Sequence, residues 1–297
     1  MNKKEIMKST QVFSLLSLVL SMALIGACSG VDKKQNEQKS GKADKSEVDS
    51  SLYVRRSQVC EQPFYQITHI GTFDVVYTEG DYSLEYEGDS TLFPSIVAEF
   101  DSGTLTLSRR GENNTDVHQF NSRSTLKVYV SCPELRLLAA CNSGSFRGLG
   151  TIHTSDMQVG VMGAGNVTLD SVVCQSLMVQ NNDAGNVTIA SCRAGSIDLM
   201  SKMSGNISGS YEVEGVAGLT FTGTATNNIF CKAEEVNLLS TGSGTANIEV
   251  DCEKMNVQAV GSGTLNLEGK AKEKKYLNSP LSEAARNVKL NDNIQRK

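Results

Sequence analysis

MQVGVMGAGNVTLDSVVCQS (157–176) is followed without a gap by LMVQNNDAGNVTIASCRAGS (177–196). Both segments carry Ala-Gly-Asn-Val-Thr, both follow it with an aliphatic residue, and both hold a cysteine in the last third. Looser versions continue as IDLMSKMSGNISGSYEVEG, VAGLTFTGTATNNIFCKAEE, VNLLSTGSGTANIEVDCEK and MNVQAVGSGTLNLEGKA, and LRLLAACNSGSFRGLGTIHTSD precedes them. With Gly144, Gly165, Gly185, Gly205, Gly223, Gly244 and Gly263 as markers, the spacings are 21, 20, 20, 18, 21 and 19 residues. A sustained period of this size marks a repeat architecture in which each unit buries its apolar face only by stacking on its neighbours.

Each unit reads as two short alternating strands around a Ser/Ala-Gly turn, for example Met157, Val159 and Val161 before Gly165, and Val167 and Leu169 after it. Stacking in register would put Val167, Val187, Ile207, Ala246 and Leu265 in one inward column, and Leu169, Ile189, Ile248 and Leu267 in another. The spacing therefore predicts a parallel β-helix with coils of about 20 residues, roughly 34 Å long at one strand spacing per coil. A leucine-rich repeat needs a regular Leu-x-x-Leu-x-Leu pattern that is absent. A propeller, the second choice, would pair the units into four-stranded blades, but neighbouring units are equally alike and show no blade signature.

Upstream, the β-helix domain is expected to begin at residue 52 with a β-rich N-terminal segment, and to run to 272, with repeats clearest over 135–271. Phe73, Val75 and Tyr77, then Leu84 and Tyr86, Leu105 and Leu107, and Leu126, Val128 and Val130 alternate with polar neighbours. Glu79-Gly80-Asp81 and Glu87-Gly88-Asp89 read as turns, and Phe93 to Phe100 as a short helical turn with Ile96, Val97 and Phe100 on one face. Downstream, residues 273–297 form a tail in which Leu281, Ala284, Ala285 and Val288 fall at helical spacing, suited to capping the last coil.

Residues 1–27 have a basic start (Lys3, Lys4, Lys8), an apolar run from Val12 to Leu24, and small residues before a cysteine, the pattern of an export signal. Leu24-Ile25-Gly26-Ala27-Cys28 resembles the bacterial lipobox, which implies lipidation of Cys28 and attachment to a membrane through the lipid. Residues 28–51, rich in Lys, Asp, Glu, Gln and Ser, then read as a disordered tether. Loss of the signal removes three positive charges and one negative, taking the net charge from −5 to −7. No concentrated basic face is visible, which argues against a nucleic-acid partner.

Seven cysteines remain beyond Cys28: Cys60, Cys132, Cys141, Cys174, Cys192, Cys231 and Cys252. The last four lie 9, 7, 8 and 8 residues after their markers and are expected to stack in one column as buried thiols, with Cys174/Cys192 and Cys231/Cys252 as the neighbours able to form disulfides. Close C-x₂-C pairs are absent and His69, His118 and His153 are scattered, so no metal site is expected. No catalytic or cofactor motif is recognised either. A polysaccharide-active β-helix enzyme would need converging acids, for which Asp170, Asp183, Asp198 and Asp251 are the candidates, but they fall at different phases of the repeat. Asn181-Asn182-Asp183 offers too few ligands for an ion and reads as a turn.

The ordered string Ile70-Gly71-Thr72-Phe73-Asp74-Val75-Val76, Tyr82 to Asp89, Gly103-Thr104-Leu105-Thr106-Leu107, Leu126 to Val130 and Cys132-Pro133-Glu134-Leu135, followed by the glycine repeats, resembles the auto-transporter adhesin family called the head GIN domain. The resemblance covers about Cys60 to Gly269 and implies a right-handed parallel β-helix on lipidated or secreted envelope proteins of Gram-negative bacteria, with no ligand or site residue attached. The expected function is an envelope-anchored, non-enzymatic adhesion or binding module on the outer membrane, with a glycan or protein ligand meeting outward residues such as Thr168, Asp170, Thr188, Asn247 and Asn266. The alternatives are the polysaccharide-active enzyme and a structural or assembly component that stacks through exposed coil ends.

Overall fold

Two consecutive outward residues, Asp170-Ser171 and then Gln175-Ser176, interrupt the buried–exposed alternation that starts at Asn166 and ends in the wholly buried run 177–181. Each interruption slips the phase by one, and a strand can keep both flanks facing one core only by turning a corner there. The coil thus has three faces rather than the two strands read from sequence. One face precedes the Gly turn, a second follows it, and a short third face (171–174) leads into the next coil.

The computed structural model describes residues 53–110, 126–276 and 287–291. Cys28, the signal and tether segments, His118, Leu281, Ala284 and Ala285 lie outside them. The N-terminal strands are β1 (Tyr53–Gln58), β2 (Gln66–Ile70), β3 (Asp74–Glu79), β4 (Ser83–Asp89), β5 (Ile96–Asp101), β6 (Thr104–Arg109) and β7 (Lys127–Cys132). The repeats supply β8 (Leu137–Asn142), β9 (Ser145–His153), β10 (Asp156–Gly163), β11 (Asn166–Asn181), β12 (Asn186–Ser201), β13 (Ile207–Val213), β14 (Val216–Gly223), β15 (Thr226–Gly242), β16 (Thr245–Gly261), β17 (Thr264–Tyr276) and β18 (Asn287–Asn291).

All ladders of the stack are parallel. The first face runs β6, β2, β8, β10, β11, β12, β14, β15, β16, β17. The second runs β7, β3, β9, β11, β12, β13, β15, β16, β17, β18. This is the expected all-β parallel β-helix. Its parallel pairing excludes propeller blades, which are antiparallel.

Spatial order departs from chain order at the N-terminal end. The coil β6–β7 comes later in sequence than β2–β3 yet lies outside it, and the chain returns through Leu135, which is fully buried, to place β8 on the other side of β2. Strands β5 and β4 then run antiparallel on β6 and β7, and β1 antiparallel on β4. They cover the open edges of the outermost coil, which would otherwise present unpaired backbone groups.

Two local readings of this segment change. Glu87-Gly88-Asp89 is strand, with Gly88 opposite Val54; the turn comes after it as a 3-10 helix at Ser90–Ser95, whose first residues are held by the Asp89 carboxylate accepting from the Thr91 N–H at 2.9 Å. That helix ends before Ile96, so Ile96, Val97 and Phe100 lie on β5 and not on a helical face. At the other end Asn287–Asn291 join the stack as a strand, with Val288 opposite Leu267; the other tail positions at helical spacing lie outside the described residues.

The inward columns form as expected, with additions. Val128, Val75, Phe146, Val167, Val187 and Ile207 continue to Ala246 and Leu265 through Asn227. Asn227 is buried and uses its Oδ1 to accept the Ile207 N–H at 2.8 Å, so the polar group is satisfied within the core. Leu169 and Ile189 are followed by Gly209 and Ile229 before Ile248 and Leu267. Each fully buried aliphatic side chain contributes about 2 kcal/mol of hydrophobic stabilisation.

The turn column holds one surprise. Ala225, not Gly223, occupies the marker position: the Thr245 N–H donates to the Ala225 carbonyl as the Thr264 N–H donates to Gly244, whereas Gly223 pairs with Gly242 in the preceding column. The true spacings around it are 20 and 19 residues. At Gly185 and Gly205 a Cβ would strike the carbonyl oxygen of the marker one coil below. At the Ala225 level the Thr226 N–H reaches the Asn206 Oδ1 at 2.7 Å instead of the Gly205 carbonyl, which accepts from Ser201. The Asn206 side chain thus takes the place of the cross-coil backbone bond at this level.

Candidate binding faces

With the core closed, chemistry is left to the three outer surfaces. The third face is charged in both signs: Arg193 pairs with Glu212 at 3.0 Å and Lys272 with Glu253 at 2.6 Å, all exposed. Such pairs contribute little to stability and compensate one another. The first face is partly apolar on its outside, where Ala139 and Cys141 pack with Ile70, Leu137 and Met162 into a small cluster separate from the core.

The second face is the most regular. Thr168, Thr188, Ser208, Asn228, Asn247 and Asn266 occupy one outward column on successive coils. Beside it Asn166, Asn186 and Asn206 form an amide ladder, Asn186 Nδ2 donating to Asn166 Oδ1 at 2.8 Å and Asn206 Nδ2 to Asn186 Oδ1 at 2.7 Å. The same ladder recurs where Asn247 donates to Asn228 and Asn266 to Asn247, each at 2.7 Å. These bonds fix the amides' orientation. Each amide has two N–H groups and two acceptor lone pairs, so one donor bond along the ladder does not exhaust it.

The four candidate acids do not converge. Asp170 stands at the corner after the second face and accepts the Gly150 N–H of the preceding coil at 3.1 Å; Asp183 is exposed in a turn; Asp198 is on the first face, where burial raises its carboxyl pKa; Asp251 is exposed on the third face. Asn181 is buried and structural, its Nδ2 donating to the Gly185 carbonyl at 2.6 Å and to the Asn206 carbonyl at 3.2 Å. His69 is buried in the core and His153 sits at the surface 3.2 Å from Glu79. Among the described residues no group of three or more His, Cys, Asp or Glu is placed to hold a metal ion.

The cysteine column predicted from spacing splits in two. Cys192 and Cys231 share a column with Tyr211 between them, while Cys174 lies opposite Ala194 and Cys252 opposite Ala233. The distances of 9 and 7 residues from the markers differ by one full pleat, which keeps the inward face but moves the register. For Cys231 the marker itself was displaced by two residues. Among the described residues no disulfide forms; Cys60 is partly exposed and the other six cysteines are buried.

The spacing signal missed one place on the second face. Phe230 breaks the polar run as an outward aromatic on β15, 36% exposed, with Ser210 on one side and Glu249, then Glu268, on the other. An open groove of ≈ 560 Å³ lies over Asn228, Phe230, Asn247, Glu249, Asn266 and Glu268. The only sequence cue is an aromatic at an outward position of the repeat.

No curated protein matches the sequence. Solved structures do. One described as a putative lipid binding protein from Parabacteroides distasonis superposes with a TM-score of 0.60 at 20% identity, covering 82% of this chain and 97% of the other. A putative adhesin from Bacteroides fragilis gives 0.56 at 20% identity over 76% and 97%, and one from Parabacteroides merdae gives 0.52 at 14% over 76% and 93%. At these identities the likeness establishes the fold. The family model for the putative auto-transporter adhesin, head GIN domain, matches residues 63–231 and 212–284, and the chain belongs to that family.

Proposed function

We propose that the chain is a non-enzymatic adhesion or binding module of the cell envelope, held on the outer membrane by lipidated Cys28 and presenting its second face to a ligand. The family is described as adhesins, and two of the structural relatives carry that description while another is described as lipid binding. The observation that carries the reading is the outward Thr/Ser/Asn column with its cross-coil amide ladders. Donors and acceptors locked at one strand spacing, about 4.8 Å, form a pre-organised surface that loses little side-chain entropy on binding. The four candidate aspartates are separated, whereas glycoside cleavage needs two carboxylates flanking one bond. Against end-to-end assembly, β17 carries Lys272, Lys274 and Lys275 beyond the segment paired with β18, and lysines blunt an exposed edge.

The test is binding and turnover of the purified mature chain on immobilised host matrix proteins, host glycans and bacterial polysaccharides. Saturable binding without product is expected. Cleavage of a glycan would replace the reading with the enzyme, and the absence of both binding and turnover would replace it with envelope assembly. Metabolic labelling with a radioactive fatty acid tests the anchor: Cys28→Ser should abolish incorporation.

A further inference from the structure

From the geometry on the second face we infer a saccharide-binding site centred on Phe230, an assignment that rests on the adhesion reading and names its ligand class as neutral carbohydrate. Two outward columns meet there. Asn228, Asn247 and Asn266 form one, and Phe230, Glu249 and Glu268 form the other, two residues further along the same strands. The columns are about 7 Å apart and their members about 4.8 Å apart, so the six side chains form a grid the size of one or two sugar rings.

Each member supplies a different part of carbohydrate recognition. The Phe230 ring offers an apolar face for the C–H side of a pyranose, and aromatics bury large area for their conformational freedom. The laddered amides of Asn228 and Asn247 present oriented donors and acceptors to ring hydroxyls. Glu249 and Glu268 are both exposed acceptors of hydroxyl donors. As like charges directly opposed on neighbouring strands they repel each other, and a bridging ligand hydroxyl relieves that repulsion.

On one side the groove is bounded by β13, whose outward side chains Ser208 and Ser210 are small and whose Gly209 lines the groove between them. Gly209 is required there: its φ is +154°, and a Cβ would strike the Ile189 carbonyl oxygen. The two carboxylates disfavour phosphate and acidic sugars, which narrows the ligand to neutral saccharides. A protein partner is less suited, because a stable protein interface buries about 800 Å² per side around an apolar centre, and this groove has one aromatic among polar groups.

The experiment uses the full mature chain, titrated calorimetrically with cellohexaose, chitohexaose, maltohexaose and mannohexaose, and in parallel assayed for binding to intact epithelial and bacterial surfaces. At least one oligosaccharide should bind, Phe230→Ala should weaken it about tenfold or more while Phe230→Tyr retains it, and Arg193→Ala on the third face should leave it unchanged. Circular dichroism verifies that each variant folds. Binding to none of the four sugars, or sugar binding indifferent to Phe230→Ala, overturns the site even if surface adhesion persists, in which case the adhesion reading stands alone. Surface binding lost in Phe230→Ala but destroyed by protease and resistant to periodate assigns the patch to a protein ligand and overturns the saccharide. Absence of surface binding by the unmodified chain removes the adhesion reading itself.

Discussion

Cys192 lies directly opposite Tyr211 on the adjacent coil, and the Tyr211 ring stands between it and Cys231 in the same inward column. Tyr211 is fully buried, and among the described residues its hydroxyl has no hydrogen-bond partner. The bulky ring is accommodated beside Gly209, where a Cβ would sit 3.1 Å from the Tyr211 Oη. A buried donor left unmade costs its desolvation.

Tyr211→Phe should therefore raise stability, by about 1 kcal/mol, because it removes the unsatisfied hydroxyl and keeps the ring. Tyr211→Ala should lower it by about 3–5 kcal/mol through the cavity left behind. Chemical denaturation of both variants measures the pair, and a destabilised Phe variant would show that the hydroxyl has a partner in solution.

The split cysteine columns predict free thiols. Cys174 and Cys192, and likewise Cys231 and Cys252, are diagonal neighbours offset by one pleat, which puts their Cα atoms about 8 Å apart, beyond what a disulfide bridges without backbone movement. Burial raises the thiol pKa of Cys132 and Cys252 to about 11 and that of Cys231 to about 12. Native alkylation followed by mass spectrometry should modify Cys60 first, and denaturation without reductant should expose all seven thiols beyond Cys28. A shortfall of two in the denatured sample would reveal a disulfide.

At the turn column, Gly185→Ala should destabilise by about 2–3 kcal/mol, since its Cβ would meet the Gly165 carbonyl and lie 2.7 Å from Val161 Cγ1. Ala225→Gly, at the equivalent position two coils on, should cost only about 0.5–1 kcal/mol of backbone entropy. Thermal melts of the two variants measure the contrast between the two levels.

His69 gives a pH signature. Burial lowers its pKa from 6.5 to about 4, against the opposing pull of the Phe73 backbone and Asp74. Between those values the unfolded chain holds a proton that the folded chain rejects, so the contribution is complete above pH 6.5 and is lost as the pH falls through about 4, by about 3 kcal/mol in all. Denaturant midpoints measured from pH 7.5 to 4 should drop more steeply for the parent than for His69→Leu. Parallel slopes would mean that His69 takes up its proton at the same pH in the folded and unfolded chains.

Much of the architecture was legible in the residues alone. The gapless copies at 157–176 and 177–196 set the coil length, and alternation picked out Val167, Val187, Leu169 and Ile189 as inward residues, because side-chain direction follows strand period and a 20-residue repeat closes only by stacking. The scatter of Asp170, Asp183, Asp198 and Asp251 followed from their phases in the same way. Periodicity states which way a side chain points, however, and not which strand lies beside it. The placement of β6–β7 outside β2–β3, the offset between Cys174 and Cys192, the exchange of Gly223 for Ala225 at the marker, and the meeting of Phe230 with Glu249 and Asn247 were decided by register between coils. Register depends on corner lengths, caps and inserted side chains such as Asn206, which act between segments distant in sequence, so only the tertiary structure resolves them.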